Sequence, residues 1–324
     1  MKFNNVFNSL VLFVLLAFAS TACRTGPEDK PKEIHVKEGY VQVTGGKLWY
    51  RILGEGKNTP VICIHGGPGG THRSFYQLEP ISEDRPLVLF DQLGSGKSTH
   101  HKDSTLLTVD NFIEQVHALR MALDLEEVYL HGHSWGTALA LESYLRHPEG
   151  VKGLVFNSPY FSTTVWEADA DTLITYLPDS VQKAIAEGER NSDFTSEAYQ
   201  NANRVFLKNY GRRKPKPSNP WDTVNARSND FIYNYMWGPT EFTATGTLKS
   251  YDRIESLKLI KIPTLFVTGE FDEARPQTVQ RYQRLVENSE FAVIDDAGHG
   301  TMHDNREQNI KVIREFLNKL DAEK

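Results

Sequence analysis

The chain has 324 residues, of which 39% are hydrophobic and 24% are charged. These are the proportions of a soluble globular protein with room for one large α/β domain or two small domains. The formal net charge is −6, which argues against nucleic acid as the main partner, because binding to phosphates needs a basic face.

The first predicted element is an export signal. Residues 6–19 are apolar except for Asn8 and Ser9, and the small residues Ser20 and Ala22 follow. This order predicts a signal peptide over residues 1–22, too short to be a comfortable membrane span. Cleavage after Ala22 would make Cys23 the first residue, as in bacterial lipoproteins, followed by a polar tether over residues 23–32. We expect an exported protein, lipid-anchored in a bacterial cell envelope (periplasmic or outer membrane); the alternative is simple secretion with an incidental cysteine.

Short apolar strands and amphipathic helices alternate after the tether. Residues 34–53 alternate apolar and polar side chains around Gly45 and Gly46, which predicts a β-hairpin. Further strands are predicted at residues 61–64, 87–90, 127–130 and 151–156. Helices are predicted from Thr108 onward and at residues 138–145. This alternation predicts a mostly parallel sheet with helices on both faces.

The pattern changes after Ser158. Residues 160–250 are richer in polar and aromatic residues and contain helical stretches but no clear strand, so we predict an inserted helical cap. Strands and helices alternate again at residues 263–267, 276–286, 291–294 and 306–320. The core is therefore predicted to comprise residues 33–159 and 251–324.

A candidate nucleophile lies where strand 127–130 meets the following helix. The sequence Gly-His-Ser-Trp-Gly at residues 132–136 places Ser134 in a G-x-S-x-G motif. Between a strand and a helix, this motif predicts a nucleophile elbow, because the glycines permit the sharp turn that exposes the serine hydroxyl. The N-terminus of the helix favours negative charge that develops there.

Such a serine needs a histidine base and a carboxylate that orients the base, in the chain order serine, acid, histidine. Asp272 follows a late strand and is the best candidate for the acid, with Glu270 and Glu273 as rivals. His299 follows the last predicted strand and is the candidate base.

Acyl transfer also needs backbone N–H groups that stabilise an oxyanion. One is expected at Trp135, directly after the nucleophile. The other is expected in the glycine-rich loop at residues 65–70, where Gly67 is the best candidate.

Other kinds of site are disfavoured. Residues 94–98, Gly-Ser-Gly-Lys-Ser, look like the end of a phosphate-binding loop, but Asp91 stands where that loop needs its first glycine, and no helix follows at once. The pairs His131/His133 and His299/His303 lack carboxylates at metal-ligand spacing. We expect no metal and no other cofactor.

Five motifs, in this order, resemble the proline iminopeptidase (prolyl aminopeptidase) family of α/β-hydrolases. They are HGGPGG at 65–70, DQLGSGKS at 91–98, GHSWGT at 132–137, GEFD at 269–272 and GHG at 298–300. The resemblance covers about residue 40 to the C-terminus. It implies the α/β-hydrolase fold, with residues 91–98 forming a structural turn beside the active site. The segment GPTEFTATGT at 238–247 is similar to the archaeal tricorn-interacting aminopeptidase branch.

The resemblance also implies roles for two glutamates. In that branch, the glutamate of a G-P-x-E-F motif and the glutamate directly after the triad aspartate bind the free α-amino group of the substrate. The matching residues here are Glu241 and Glu273. From the residues alone, both would be taken for ordinary surface glutamates. The chain departs from the family pattern at His133, where glycine is common, and at Arg275, where threonine is frequent.

The sequence therefore predicts a serine aminopeptidase that releases N-terminal proline, and in some substrates other residues, from short peptides with a free N-terminus. Aromatic side chains are expected to wall the proline pocket, with four candidates: Trp135, Tyr160, Phe161 and Trp237. One alternative is an esterase or lactonase on the same fold. Another is a non-catalytic lipoprotein that binds a ligand in the same pocket.

Overall fold

The computed structural model describes residues 34–215 and 227–322. The predicted signal peptide, tether and lipidated Cys23 lie outside the described residues. Within the described ranges, no helix is both long enough and apolar enough to cross a membrane.

An eight-stranded sheet lies at the centre of the fold, in the spatial order β1-β2-β4-β3-β5-β6-β7-β8. The strands are β1 (Val36–Val43), β2 (Gly46–Leu53), β3 (Val61–Ile64), β4 (Leu87–Phe90), β5 (Val128–His133), β6 (Val151–Asn157), β7 (Thr264–Gly269) and β8 (Ser289–Ile294). The first two form the predicted hairpin, and β2 pairs with β4 in antiparallel fashion. All other pairs are parallel. The mostly parallel α/β sheet is confirmed.

The helices connect the strands or follow the last strand. They are α1 (Val109–Ala122), α2 (Trp135–Arg146), α3 (Thr163–Ile174), α4 (Asp179–Asn191), α5 (Glu197–Phe206), α6 (Asp230–Met236), α7 (Pro276–Gln283), α8 (Thr301–Asp304) and α9 (Arg306–Ala322). A 3₁₀ segment spans His72–Glu83, and a π-helical turn spans Leu207–Gly211. Helices α3 to α6 all lie between β6 and β7, in the region where the sequence predicts a cap.

Alternation along the strands divides the core into two clusters. In β3 and β4, even-numbered residues such as Ile62 and Phe90 pack with α1 and α2, while odd-numbered residues such as Cys63 and Leu89 pack with α9 and the 3₁₀ segment. Successive side chains of a strand point to opposite faces, so each cluster covers one face of the sheet. Burial on both faces explains why these strands are continuous apolar runs.

The turn at residues 91–98 surrounds the carboxylate of its own first residue, Asp91. The carboxylate of Asp91 accepts hydrogen bonds from the backbone N–H groups of His72 and Lys97, each at 2.8 Å, and contacts Nδ1 of His72 at 2.7 Å. A Cβ atom at Gly96 would overlap this carboxylate. Asp91 therefore fills the space that a bound phosphate would need, and the turn is structural.

Candidate active site

Ser134 lies at the sharp turn between β5 and α2. Its backbone angles, φ 55° and ψ −126°, are rare for a residue with a side chain. The chain passes so closely that a Cβ atom at Gly132 would overlap the carbonyl oxygen of Gly136, and one at Gly136 would overlap that of Ile64. The two glycines of the motif thus permit the strained turn that presents the serine at the carboxyl end of the sheet.

His299 and Asp272 come from the loops after β8 and β7. Nδ1 of His299 lies 2.9 Å from Oδ1 of Asp272, whose side chain is only 1% exposed. The carboxylate also accepts hydrogen bonds from the backbone N–H groups of Gly269 and Ala274. Burial alone would raise the pKa of Asp272, but the charge of His299 and these hydrogen bonds outweigh it and lower the pKa. An ionised Asp272 fixes the proton on Nδ1 and leaves Nε2 of His299 as the basic nitrogen.

The other two candidate acids have different surroundings. Glu270 is exposed and accepts a hydrogen bond from the backbone N–H of Asp296. Oε1 of Glu273 lies 3.7 Å from Nδ1 of His299, beyond hydrogen-bonding distance. Asp272 is therefore the carboxylate that orients the imidazole. Ser134 and His299 line the same cavity, which has a volume of about 640 Å³.

The backbone of His299 is fixed from both the core and the cap region. Its carbonyl oxygen accepts hydrogen bonds from Nε2 of His133, at 2.9 Å, and from the hydroxyl of Ser158, at 3.1 Å. Its N–H donates to the carbonyl oxygen of Tyr210, in the π-helical turn, at 2.7 Å. Burial lowers the pKa of His133 to about 3, so this histidine is neutral. His133, one of the departures from the family pattern, thus helps to position the loop that carries His299.

The expected oxyanion donors lie beside the nucleophile. Gly67 and Trp135 line the same small recess as Ser134. Trp135 is the first residue of α2, where backbone N–H groups have no acceptor within the helix. Gly67 adopts φ +120°, which favours glycine.

Aromatic side chains form the wall of this recess. Three of the predicted candidates, Trp135, Tyr160 and Trp237, are among them. Trp166 of α3 also lines the recess, and its ring meets that of His299 edge-on at 5.4 Å. Phe161 was the wrong candidate: it is fully buried and packs in the core against Phe156, Phe266 and Tyr282.

Glu241 and Glu273 both lie close enough to His299 to influence its charge. Glu241 lies in the loop after α6 and lines both the recess and the larger cavity. Nε1 of Trp166 donates to its carbonyl oxygen at 2.9 Å, and Tyr233 hydrogen-bonds its side chain. Glu273 is 2% exposed, and among the described residues its Oε2 has no hydrogen-bond partner. A buried carboxylate oxygen without a partner is costly, so this atom indicates a place for a ligand that donates hydrogen bonds.

The carboxylates and the imidazole influence one another. Burial, followed by the charge of Glu241, raises the pKa of Glu273 well above its ordinary value, and burial also raises the pKa of Glu241. For His299, burial works in the opposite direction, but the charges of Asp272, Glu273 and Glu241 outweigh it and raise the pKa to about 9. The site as a whole favours a positive charge at its centre.

Arg275, the other departure from the family pattern, points away from the recess. Its guanidinium pairs with the buried carboxylate of Asp169 on α3 at 3.2 Å. The pair connects α3 to the loop that carries Asp272 and Glu273. Arg275 lines neither the recess nor the cavity at Ser134.

His131 and His133 have different surroundings. The ring of His131 lies in the core, edge-on to Phe75 at 5.0 Å, while His133 contacts His299. Over residues 34–215 and 227–322, no group of three or more His, Cys, Asp or Glu side chains is arranged to hold a metal ion.

Comparison with known proteins places this geometry in a family. The model of the alpha/beta hydrolase fold family matches residues 59–306. The chain is 41% identical to the proline iminopeptidase of Heyndrickxia coagulans over 87% of this chain and 99% of that protein. It is 32% identical to the proline iminopeptidase of Clostridium botulinum over 88% of this chain and 99% of that protein. The chain belongs to the proline iminopeptidase family.

A solved member of the proline iminopeptidase family has the same architecture. The crystal structure of the enzyme from Mycobacterium smegmatis matches with a TM-score of 0.80 and 28% identity, covering 88% of this chain and 99% of that chain. Solved esterases match at 19% identity with TM-scores of 0.63 and 0.61, which shows the shared fold alone. The similarity of residues 238–247 to the tricorn-interacting branch stays a prediction.

The geometry predicts that Ser134 is a reactive nucleophile. We expect a fluorophosphonate probe to label the protein once, and we expect Ser134→Ala to remove the label. Asp272→Asn should slow labelling by at least about a hundredfold, because His299 would lose the partner that fixes its tautomer. Mass spectrometry of the labelled peptide and labelling rates measure both effects.

Ser74, which lines the same cavity, provides the control. Ser74→Ala should be labelled at the wild-type rate. Labelling of the Ser134→Ala protein, or an undiminished rate in Asp272→Asn, would contradict the assignment.

Proposed function

We propose that the protein is a serine aminopeptidase that releases N-terminal proline from short peptides. Membership of the proline iminopeptidase family supports this function. The observation that carries it is the unpartnered carboxylate oxygen of Glu273, buried beside Glu241 and His299.

A free N-terminal proline matches this pair of glutamates. Its secondary ammonium group has one positive charge and two N–H donors, so it can donate one charge-assisted hydrogen bond to Glu241 and one to Glu273. A blocked N-terminus has neither the charge nor both donors. The pair thus selects the first residue of a peptide. The proline ring would pack in the aromatic recess, against Tyr160, Trp166 and Trp237.

The reaction proceeds through an acyl-enzyme. The hydroxyl oxygen of Ser134 attacks the carbonyl carbon of the first residue while Nε2 of His299 accepts the hydroxyl proton. Backbone N–H groups of Gly67 and Trp135 stabilise the oxyanion. The C–N bond then breaks as His299 gives the proton to the departing amine. Water, deprotonated by His299, attacks the prolyl ester and releases proline, and the proton returns to Ser134.

Substrate binding also prepares the base. Without substrate, the surrounding carboxylates raise the pKa of His299 to about 9, which favours the imidazolium over the neutral imidazole. An ammonium group between Glu241 and Glu273 offsets their negative charge and lowers the pKa of His299. The amine therefore helps to generate the neutral imidazole that the first step needs.

An esterase or lactonase would use the same triad, but its neutral substrate would bring no ammonium group to Glu241 and to the unpartnered Oε2 of Glu273. A ligand-binding lipoprotein without activity would need neither the strained serine nor the Asp272–His299 hydrogen bond. The aminopeptidase accounts for all of these features.

Three amide substrates and one ester test the proposal. We expect cleavage of proline β-naphthylamide, slower cleavage of alanine β-naphthylamide, and at least about a hundredfold slower cleavage of N-acetylproline β-naphthylamide, because two hydrogen bonds to charged groups are lost. Glu241→Gln and Glu273→Gln should each reduce kcat/KM for the proline substrate at least about tenfold. Glu270→Gln, which changes an exposed glutamate in the same loop as Glu273, is the matched control and should keep wild-type activity.

Two results would contradict the aminopeptidase. One is cleavage of p-nitrophenyl butyrate without cleavage of the free-amine amides, which would indicate an esterase. The other is equal cleavage of free and acetylated proline amides, which would remove the role of the glutamates.

The charges around His299 also predict a pH effect. The rate of labelling by a fluorophosphonate, which carries no amine, should fall as pH drops through the raised pKa of His299, because only the neutral imidazole activates Ser134. Glu241→Gln removes a negative charge that stabilises the imidazolium, so the pKa should fall and the acid limb should move to lower pH. Glu270→Gln should leave the limb in place. An unmoved limb in Glu241→Gln would contradict this account of the charges.

We also propose that the enzyme is exported and anchored through a lipid on Cys23. The apolar stretch at residues 6–19, the small residues before Cys23 and the polar tether support this location. The active site would then face short peptides outside the cytoplasm.

Expression in a bacterial host with radiolabelled palmitate tests the anchor. We expect the wild type to carry the label and to sediment with membranes, and Cys23→Ser to lose both properties. An inhibitor of lipoprotein signal peptidase should cause the uncleaved precursor to accumulate. An unlabelled, soluble wild-type protein would instead support simple secretion.

A further inference from the structure

The cavity at Ser134 is lined by side chains of both charges. It shares Glu241 with the recess, and we call the part that is lined by arginines its outer part. They are Arg73, Arg212 and Arg227. Asp230 is the acidic side chain among the described residues of the outer part, and His303 also lines it. Positive charge therefore outweighs negative charge in this outer part.

The arginines come from separate segments that are each held beside the active site. Arg73 lies in the 3₁₀ segment that follows the oxyanion loop. Arg212 follows the π-helical turn, where the carbonyl oxygen of Gly211 accepts a hydrogen bond from Gly300, next to His299, at 2.8 Å. Cβ of Arg212 lies 3.8 Å from the position that a Cβ atom on Gly300 would occupy.

Arg227 lies in a segment that is held against the oxyanion loop. Its carbonyl oxygen accepts a hydrogen bond from Gly96 at 3.1 Å, and two residues later Asn229 donates its N–H to Gly69 of the oxyanion loop at 2.8 Å. Arg212 and Arg227 thus stand on the histidine side and the oxyanion side of one cavity. The arginines come from distant parts of the chain, so this arrangement differs from a run of charged residues along one helix.

We propose that the outer cavity is a subsite for the C-terminal carboxylate of a short peptide substrate. This inference rests on the proposed aminopeptidase function and extends it to the other end of the substrate. With the proline ammonium between the glutamates and the first carbonyl at Ser134, the departing part of the peptide extends into the outer cavity. An extended chain spans at most about 3.3–3.6 Å per residue, so the carboxylate of a dipeptide or tripeptide falls within roughly 7–11 Å of its amine.

The carboxylate suits arginine in particular. The planar guanidinium donates two parallel hydrogen bonds to a carboxylate, and the positive field of the cavity attracts the anionic end of the peptide. A di- or tripeptide is a zwitterion whose charges match the two ends of the site. A longer peptide would carry its carboxylate past the arginines, so short peptides with a free C-terminus are the preferred class.

Paired peptides test the subsite. We would measure kcat/KM for Pro-Gly-Gly and for its C-terminal amide, with the wild type, Arg212→Ala, Arg227→Ala and the double variant. The wild type should prefer the free acid about fivefold, mostly through a lower KM, and added salt should reduce the preference. The double variant should reduce the ratio of acid to amide to about one. Because each ratio is measured within one variant, it does not depend on how much activity that variant retains.

Controls separate this inference from the proposed function. Arg190→Ala removes an exposed arginine of α4 that does not line the cavity and should keep the wild-type ratio. Arg212→Lys with Arg227→Lys should keep part of the preference through charge alone. A wild-type ratio of about one, or a ratio unchanged in the double variant, would overturn the subsite while proline β-naphthylamide is still cleaved. Failure to cleave that amide would instead overturn the aminopeptidase.

Discussion

The site depends on bringing three carboxylates, of which Asp272 and Glu273 are fully buried, close to one imidazole. Asp272 alone would orient His299, and Glu273 and Glu241 add charge that the triad does not need. Burying such groups is costly, and the cost is offset only when a cation lies between them. Without substrate, the cation that these carboxylates favour is the imidazolium of His299, and in the proposed function a substrate ammonium takes over that role. In the proposed function, recognition of the N-terminus and activation of the base are consequences of the same arrangement.

This arrangement requires both parts of the fold. The ends of β7 and β8 supply Asp272, Glu273 and His299, whereas the segment between β6 and β7 supplies Glu241 and Trp166. The same segment accepts the backbone hydrogen bond of His299 at Tyr210. The helical insertion is thus part of the catalytic geometry, and we expect changes in its packing to affect substrate affinity and the pKa of His299 together.

Sequence patterns predicted the fold. They could also point to Ser134, Asp272 and His299 as one site, because each residue follows a strand and the ends of parallel strands meet at one edge of the sheet. Pocket residues were harder to predict. Phe161 follows Tyr160 directly, yet it points into the core, and Trp166 could have been found only from its spacing with Ala170 and Leu173 on the buried face of α3. The roles of Glu241 and Glu273 were predicted only from the family resemblance, since a sequence pattern cannot show that two glutamates distant in sequence share one site. The common location of the outer arginines could not be predicted from the sequence, because their segments meet only in the tertiary structure.

The most direct test of this account is a crystal structure of Ser134→Ala with a proline-initiated dipeptide bound. The account predicts that the proline nitrogen lies within about 2.7–3.2 Å of a carboxylate oxygen of Glu241 and of one of Glu273. It also predicts that the first carbonyl lies at the backbone N–H groups of Gly67 and Trp135. A proline nitrogen bound elsewhere, with Oε2 of Glu273 still unpartnered, would contradict the central claim that the buried glutamates recognise the free N-terminus.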